Sequence, residues 1–465
     1  MKFLFFSKRF FFGTLILCLF LLFSFLFASF FIPKRIIIEN QITRETPEEE
    51  KNVVETKLKQ YYLKTFEGLK EEFLSSKTDF LEVNLSEMKI KLWQKGLLTK
   101  EVPILAKGDP QGWGGSAAGL YKILSGNKLS FSIVSNVYMP YALHFYGKYY
   151  IHGEPYYSGG EKLSSEVSGG CLRLSDKDAK TIYEMTELNM PVLVIDKGKD
   201  NYEYPLKSLS DFPEVSAESY LVADLDSGFV LADKNSEEKF SIASLTKLLT
   251  AIVVAENIDL KKSIAITFKM LEVYGSTEGL TLGKTFRVVE LFYPLLIESS
   301  NDAAEAVSYF LGREKTIRLM NEKAKAILME NTNFSDPSGF ALNNVSTAKD
   351  LFYLARYIFN NRPPIFEIGQ GKKVTSFGEV RFDIEKFWNK NVFINDPTFL
   401  GGKTGFLKET GQTAIFLFRF NDERNITIVL LKSGDIKTDT QKIYIWLQKN
   451  YFKTSGEISP LLDEQ

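Results

Sequence analysis

The stretch Asn201–Pro213 divides this chain into two parts whose apolar residues recur with different periods. It carries two prolines among polar and charged residues, which is typical of a linker. Before it, from Phe80 onward, apolar residues alternate as in β-strands, and a turn at Gln94–Gly96 separates two such runs. A chain of 465 residues exceeds what one core usually organises. We predict a mostly-β domain over residues 80–197 and a linker over 198–214.

After the linker, two short apolar runs flank Asp226–Gly228 as a β-hairpin, and apolar spacing of three to four residues then takes over. The order hairpin, helices, hairpin, helix favours an antiparallel sheet covered by helices. We therefore predict an α+β domain over 215–453 and a short tail over 454–465. The expected helices and late strands are Leu245 to Val253, Val288 to Ile297, Ala303 to Leu311, Thr413 to Phe420, Ile426 to Leu431 and Thr438 to Tyr451.

The N-terminus contains an uncharged run from Phe10 to Ile32. At about 1.5 Å per residue, such a helix reaches across the roughly 30 Å core of a bilayer. We predict an uncleaved anchor over 1–33 that contains Cys18, with the remaining domains on the extracytoplasmic side of the cytoplasmic membrane. Residues 34–79 follow as an amphipathic helical stalk, or as a helix packed on the next domain.

Composition excludes several classes of function. The formal net charge is -1, so there is no basic surface to favour nucleic acid. Only two Cys and two His are present, which leaves too few ligands for a disulfide framework or the usual zinc sites. We expect chemistry without a metal or another cofactor.

One candidate nucleophile is Cys171, which follows two glycines and lies nineteen residues after His152. A thiol attacks as a thiolate, so it needs a base or a cation nearby, and glycines open the backbone to a substrate carbonyl. The competing interpretation is a buried structural thiol, which the glycines and Arg173 disfavour. His144 lies in an apolar strand and is the weaker candidate for the base.

The segments Ile151–Gly153 and Ser168–Arg173 resemble the catalytic signature of the L,D-transpeptidase family. The resemblance covers about residues 80–195. It implies that Cys171 is acylated by a peptidoglycan stem peptide after the third residue, releasing the fourth, and that an acceptor amine then resolves the thioester. His152 takes the thiol proton in this scheme.

The same resemblance assigns the surrounding groups. Backbone N–H groups around Gly170 and Cys171 hold the developing oxyanion, and Arg173, with Ser168, binds the substrate. This chain departs from many family members at Gly169, where those proteins carry a histidine.

A second set of motifs follows the linker. Ser244 and Lys247 stand three residues apart, which places their side chains on neighbouring positions of a helix. Lys247 can act as a base only if its pKa falls, which burial and a second cation such as Lys403 both promote. Ser299–Asn301 and Lys403–Gly405 complete the set. Ser125–Lys128 matches two of these patterns as a string, but we interpret it as a turn.

This set resembles the serine penicillin-binding proteins and β-lactamases, and the Asp336–Gly339 turn resembles that of the low-molecular-mass D-alanyl-D-alanine carboxypeptidases. The resemblance covers about residues 215–451. It implies acylation of Ser244, with β-lactams as covalent inhibitors. The residues with implied roles are Ser244 as nucleophile, Lys247 as base, Ser299 and Asn301 as proton relay and peptide binders, and Lys403, Thr404 and Gly405 as the binding site for the terminal carboxylate.

Together the two sets predict a bifunctional enzyme that acts on peptidoglycan stem peptides. A D,D-carboxypeptidase trims a pentapeptide stem to the tetrapeptide that an L,D-transpeptidase uses as its donor. The alternatives are an endopeptidase that opens 4-3 cross-links, a silent wall-binding module in place of one enzyme, and, with less support, a β-lactamase. Phe406, where the second family commonly has a polar residue, leaves the substrate preference open.

Overall fold

The computed structural model describes residues 61–197, 200, 202–204, 210–272, 280–374, 380–420 and 424–452. Its first domain, here the cysteine domain, contains a five-stranded sheet in the order β4-β3-β2-β10-β5 and a four-stranded sheet in the order β6-β7-β8-β9. Its elements are β2 (Phe80–Asn84), β3 (Lys89–Gln94), β4 (Leu97–Pro103), β5 (Gly119–Lys122), β6 (Ser125–Ser132), β7 (Val137–Tyr146), β8 (Tyr149–His152), β9 (Leu172–Arg173), helix α2 (Asp176–Met185) and β10 (Pro191–Ile195).

The predicted turn at Gln94–Gly96 is confirmed, but the apolar run before it forms two strands rather than one. β2 and β3 pair antiparallel around the 85–88 turn, and β3 continues through a turn at Lys95 and Gly96 into β4. The interpretation of Ser125–Lys128 as a turn is wrong, because these residues begin strand β6. Gly126 suits a strand here since a Cβ on it would lie 3.1 Å from the Tyr183 ring, so the glycine makes room for that ring.

The second domain, here the serine domain, has a six-stranded antiparallel sheet in the order β1-β12-β11-β19-β18-β17, in which β1 is Tyr61–Tyr62. Its main helices cover this sheet, as predicted. The elements are β11 (Ser219–Asp224), β12 (Phe229–Lys234), β13 (Phe240–Ser241), α3 (Thr246–Asn257), β14 (Ser263–Ala265), β15 (Thr285–Arg287), α4 (Asn301–Leu311), α5 (Arg313–Ala326), β16 (Val345–Ser346), α6 (Ala348–Asn361), α7 (Pro364–Gly369), β17 (Phe399–Leu407), β18 (Gly411–Arg419), β19 (Asn425–Ser433) and α8 (Ile436–Asn450).

One predicted helix takes a different form. The segment Val288 to Ile297 folds as a 3₁₀ turn over Val288–Leu291 and a π-helical turn over Pro294–Glu298. Pro294 has no backbone N–H to donate, so a regular α-helix cannot run through it unbroken. The change matters because the π-helical turn delivers Ser299 at its end.

Two described elements precede the cysteine domain and pack on the two domains. Strand β1 (Tyr61–Tyr62) pairs with Phe229 and Val230 of β12. Helix α1 (Phe66–Ser75) is capped by the Thr65 hydroxyl, and its Leu69 is buried in the main core. The stalk predicted over 34–79 is therefore wrong for its described residues, which pack on the domains, the alternative that the sequence left open.

The predicted anchor over 1–33, Cys18 and the tail over 454–465 lie outside the described residues. In the part of the chain that is described, no helix has the length and apolarity needed to cross a bilayer. Of the predicted linker, Tyr204 is buried and Phe212 stacks on Tyr220, so its described residues lie against the serine domain.

The two domains share a buried charged cluster. Glu256, near the end of α3, contacts Lys323 at 2.9 Å and Arg362 at 2.8 Å, and all three side chains are fully buried. Burial alone would raise the pKa of Glu256, but Lys323 and Arg362 hold the pKa of the carboxyl below its usual range. The carboxylate is therefore ionised and paired.

Tyrosines of the cysteine domain complete this cluster. Lys323 donates to the Tyr121 hydroxyl at 2.7 Å, and Arg362 donates to the Tyr149 hydroxyl at 2.7 Å. The Lys323 ammonium also lies 4.7 Å from the centre of the Tyr146 ring. Apolar packing crosses the same boundary, since Trp113 contacts Phe292 with ring centres 5.1 Å apart. The domains thus share one core rather than touching through surface residues.

We predict that Arg362→Met lowers the free energy of unfolding by about 3 to 5 kcal/mol, because it leaves part of a buried carboxylate unpaired. The control is Lys349→Met, which removes the partly exposed partner of the largely exposed Glu237 and costs at most about 1 kcal/mol. Urea unfolding followed by fluorescence measures both. Equal, small effects would show that the cluster does not stabilise the folded chain.

Candidate active sites

The serine site begins where a short 3₁₀ turn, Ala243–Leu245, leads into α3. Ser244 lies in this turn and Lys247 in the first turn of the helix. Lys247 Nζ donates to Ser244 Oγ at 2.9 Å. The structure therefore brings the two residues together as their spacing predicts.

Lys247 has two further acceptors, Asn301 Oδ1 at 2.7 Å and the Ser338 carbonyl at 2.6 Å. Its side chain is fully buried, and burial lowers its pKa to about 7 although Asp336 and Glu305 act in the opposite direction. A lysine with this pKa is substantially neutral near pH 7 and can accept a proton from the serine hydroxyl.

Lys403 reaches the site from β17, an edge strand of the main sheet. Its Nζ donates to Ser299 Oγ and to the Thr404 carbonyl, both at 2.8 Å. Burial, with repulsion from Lys247 and Lys390, holds the pKa of Lys403 well below its usual range. Ser299 follows the π-helical turn in a left-handed conformation with φ of 64°. This backbone aims its hydroxyl toward the Lys403 ammonium.

The Asp336–Gly339 turn positions a backbone carbonyl that accepts a hydrogen bond from Lys247. The Asp336 carboxylate accepts the N–H groups of Ser338 and Gly339 at 2.7 Å each, which fixes the Ser338 carbonyl against Lys247. The sequence pointed to this turn without giving it a role. Its contribution is a backbone carbonyl, so no side-chain motif could have revealed it.

Gly405 allows β17 to approach Ser244 closely. A Cβ at this position would lie 2.9 Å from the Ser244 backbone nitrogen and 2.7 Å from Thr413 Oγ1. Thr404 stays partly exposed beside it, with its hydroxyl 3.3 Å from the Lys390 carbonyl. The edge of β17 thus borders the Ser244 backbone.

The cysteine site lies where β8 and β9 run parallel. His152 ends β8, and Cys171 directly precedes β9, in which Arg173 pairs with His152. Strand pairing therefore brings the two segments of the predicted signature side by side. Cys171 and His152 line the same cavity of about 740 Å³.

The His152 ring is held by its neighbour. Its Nδ1 lies 2.6 Å from the Gly153 carbonyl, so Nδ1 carries the proton and Nε2 keeps its lone pair. Burial, with the charge of Arg173, lowers the pKa of His152 to about 4. The imidazole is neutral at pH 7, the form that can accept a proton.

The Cys171 thiol donates to the Lys148 carbonyl at 3.7 Å. Burial raises the pKa of Cys171 to about 11, against the opposing effects of the Tyr150 backbone, Lys148 and Arg173. In this arrangement the hydrogen bond of the thiol goes to the carbonyl rather than to His152. The free protein therefore holds a neutral thiol and a neutral imidazole.

Three neighbouring groups are engaged in hydrogen bonds within the loop that carries Cys171. The Gly170 N–H donates to Ser168 Oγ at 3.0 Å, so it is not available to an oxyanion, and Ser168 Oγ donates to the Cys171 carbonyl at 2.6 Å. Ser168 lines the cavity and also shapes this loop. Arg173 donates to the Ser165 carbonyl at 2.8 Å and is 7% exposed, so its guanidinium braces the loop on the cavity wall.

His144 lies apart from this cavity lining, with its Nε2 2.9 Å from the Gly147 carbonyl and its ring stacked on Tyr150. The sequence did not anticipate that Trp113, Lys148, Asp259 and Lys261 line the cavity. Asp259 and Lys261 belong to the serine domain, so only the folded chain brings them to Cys171. Among the described residues no group of three or more His, Cys, Asp or Glu side chains could hold a metal.

Comparisons with known proteins agree with this geometry. A family model for D-alanyl-D-alanine carboxypeptidases matches residues 207–434, and one for the L,D-transpeptidase catalytic domain matches residues 78–194. The chain is 30% identical over 246 residues to a D-alanyl-D-alanine endopeptidase of Pseudomonas aeruginosa, covering 50% of this chain and 78% of that protein.

Two further likenesses were found. A D-alanyl-D-alanine endopeptidase of Haemophilus influenzae is 34% identical over 208 residues, which are 43% of this chain and 70% of that protein. The cefotaxime-bound Penicillin-Binding Protein D2 of Listeria monocytogenes superimposes with a TM-score of 0.45 and 26% identity, over 51% of this chain and 99% of that one.

A buried lysine that donates to a serine at the start of a helix, next to an antiparallel sheet, is the arrangement expected in a serine-dependent acyl-transfer enzyme. The chain belongs to the D-alanyl-D-alanine carboxypeptidase family and carries an L,D-transpeptidase catalytic domain before that part. The fusion predicted from the two motif sets is confirmed.

We predict that the rate of Ser244 acylation by benzylpenicillin rises about tenfold per pH unit below pH 7 and levels off above it, because Lys247 must be neutral to accept the proton. Stopped-flow or quench mass spectrometry between pH 5.5 and 9 gives the profile. Cys171→Ala should leave it unchanged. A flat profile would exclude Lys247 as the titrating base.

We predict that Gly170→Ala lowers cysteine-dependent activity by about 100-fold or more, a cost typical of a 1 Å displacement of a reacting group. Gly170 has φ of 116°, and a Cβ there would lie 2.0 Å from the Tyr149 ring, so the loop that carries Cys171 must move.

The matched control is Gly169→Ala, because a Cβ at Gly169 meets nothing within 4 Å among the described residues. Its activity should stay within about threefold of wild type, as expected for a surface change. Tetrapeptide exchange measured by mass spectrometry compares the two variants. Similar losses in both would mean that the Tyr149 contact does not set the position of Cys171.

Proposed function

We propose that this protein modifies peptidoglycan by two reactions, a Ser244-dependent D,D-carboxypeptidase reaction and a Cys171-dependent L,D-transpeptidase reaction. One observation carries the proposal: the chain contains two candidate nucleophiles, each near a base whose pKa is lowered by burial. Ser244 lies beside Lys247, and Cys171 lines the same cavity as His152. The two matching family models supply the reaction classes.

In the serine reaction, Lys247 accepts the Ser244 proton as Oγ attacks the carbonyl of the penultimate residue of a pentapeptide stem. The C–N bond breaks, and the terminal residue leaves as an amine after it receives a proton through Lys247 and Ser299. Water then hydrolyses the acyl-enzyme. Lys403 and Thr404 bind the terminal carboxylate, and its negative charge favours the protonated form of Lys403.

In the cysteine reaction, Nε2 of His152 takes the Cys171 proton, and Sγ attacks the carbonyl of the third stem residue. The C–N bond to the fourth residue breaks, and His152 returns the proton to the leaving amine. An acceptor amine then attacks the thioester and regenerates the thiol. Because Gly170 N–H is engaged, the Cys171 N–H is the donor that this loop offers to the oxyanion.

The two reactions follow one another chemically. The carboxypeptidase product, a tetrapeptide stem, is the donor that the L,D-transpeptidase uses. We propose that the chain acts outside the cytoplasmic membrane, where such stems are found, and that residues 1–33 anchor it there. The uncharged run from Phe10 to Ile32 supports this placement.

A second candidate for the serine domain is a D,D-endopeptidase. The relatives in Pseudomonas aeruginosa and Haemophilus influenzae are named D-alanyl-D-alanine endopeptidases. That reaction opens a cross-link by the same acylation of Ser244. A cross-linked dimer and a pentapeptide monomer offered separately distinguish the two candidates.

We expect the full chain to remove the terminal residue of a soluble pentapeptide monomer, and Ser244→Ala to lose this activity by about 1,000-fold or more while Cys171→Ala keeps it. When the substrates are a tetrapeptide and an added D-amino acid, we expect the opposite result: Cys171→Ala should lose the exchange activity and Ser244→Ala should keep it. Mass spectrometry of the products measures both reactions. A pentapeptide that persists while a 4-3 dimer is cleaved would replace the carboxypeptidase with the endopeptidase.

Covalent labelling with a β-lactam tests the third possibility, that the serine domain is a catalytically silent wall-binding module. Intact-mass analysis should show one benzylpenicillin adduct that Ser244→Ala abolishes. An unlabelled wild-type chain would mean that the serine domain lacks a competent nucleophile.

A further inference from the structure

Lys148 lies in the turn between β7 and β8, where the two domains meet. Its Nζ donates to the Ala255 carbonyl at 2.8 Å, with the Ile258 carbonyl at 3.4 Å. Its backbone N–H donates to the Glu256 carbonyl at 3.2 Å. These carbonyls stand at the C-terminal end of α3, where a cation is favoured by the helix dipole and by carbonyls that lack an intrahelical partner.

The backbone of the same residue holds the nucleophile. The Lys148 carbonyl is the acceptor for the Cys171 thiol, and the Lys148 ammonium is one of the two cations that favour the thiolate, the other being Arg173. Lys148 therefore contacts the serine domain through its side chain and the cysteine nucleophile through its carbonyl.

Tyr149, the next residue, is also held by the serine domain. The Tyr149 hydroxyl accepts a hydrogen bond from Arg362 of the serine domain, and its ring occupies the space that a side chain at Gly170 would need. Gly147, on the other flank, approaches α3 so closely that a Cβ there would lie 2.6 Å from the Glu256 carbonyl. The whole 147–149 segment is thus docked on the serine domain.

We propose that Lys148 is a positioning residue for Cys171, fixed by the end of α3, so that the serine domain completes the cysteine active site. The inference rests on the proposed function, since it takes Cys171 as the nucleophile. It extends that function by making the serine domain necessary for the cysteine chemistry even when Ser244 is not reacting. An interface lysine with a purely structural role would affect stability and leave the thiol unchanged.

The test measures the reactivity of the thiol directly, without any stem peptide. The full chain is treated with iodoacetamide between pH 6 and 10, and peptide mapping by mass spectrometry reads Cys171 separately from Cys18. The variants are Lys148→Gln, which removes the charge, Lys148→Arg, which keeps it, and Lys122→Met as a control at an exposed lysine of β5.

We expect Lys148→Gln to slow alkylation by about tenfold at pH 7, where Lys148 with its pKa of about 8 is still charged, because the variant loses a nearby cation. Lys148→Arg should stay within about threefold of wild type, and Lys122→Met should not differ from it. In tetrapeptide exchange, Lys148→Gln should lower kcat with little change in KM.

Other charged and titratable groups face Lys148 and Cys171, and they affect the pH dependence of alkylation equally in every variant. The comparison between variants therefore isolates the effect of the Lys148 side chain. Arg173, His152 and Tyr150 face the thiol from the cysteine domain. Arg362, Glu256 and Asp259 face the ammonium from the serine domain, and burial leaves Lys148 with a pKa of about 8.

The outcomes are distinguishable. Unchanged alkylation in a Lys148→Gln variant that still binds penicillin at Ser244 overturns the inference. If the Lys148→Gln variant does not bind penicillin, the Lys148→Arg variant is used instead. A Lys148→Arg variant that is folded but loses thiol reactivity tenfold also overturns the inference. A wild-type chain without transpeptidase activity refutes the proposed function, while the alkylation profiles still decide the role of Lys148.

Discussion

The ionised carboxylate of Glu256, buried between Lys323 and Arg362, is the constraint on which the arrangement of both sites depends. An unpaired charge in this position would be strongly unfavourable. All three charged residues belong to the serine domain, and the cysteine domain joins them through the hydroxyl groups of Tyr121 and Tyr149. Glu256 lies near the C-terminal end of α3, and Lys247 lies in the first turn of the same helix. A helix of twelve residues, about 18 Å long, therefore connects the serine site to the support of Cys171.

Burial lowers the pKa of the proposed base in each of the two sites. Burial lowers the pKa of Lys247 to about 7 and that of His152 to about 4, so both can accept a proton near pH 7. The nucleophiles differ, because the buried Cys171 thiol is protonated in the free protein, with a pKa of about 11. In the proposed reaction, formation of the thiolate therefore depends on transfer of the proton to His152 and on the cations beside the sulfur, of which Lys148 lies at the domain boundary.

Much of this could be predicted from the sequence where the signal is local. Alternation around Leu81 and Val83 predicted β2, and the spacing of Ser244 and Lys247 predicted that their side chains are neighbours. What could not be predicted depends on distant partners or on backbone atoms. Ser338 acts through a carbonyl, and the partners of Lys148 in α3 lie more than 100 residues away in sequence. Gly126 was misread because a glycine in a strand resembles a turn unless the ring that occupies its space is known.

Native-state hydrogen exchange tests most directly whether the two domains are one structural unit. The amide of Lys148, which donates to the Glu256 carbonyl, reports on the boundary, and amides in the middle of α3 report on the serine domain core. The account predicts that both exchange with the same opening free energy and respond equally to denaturant. Exchange of the Lys148 amide through a separate opening of much lower free energy, with α3 still protected, would show that the cysteine site does not depend on the serine domain.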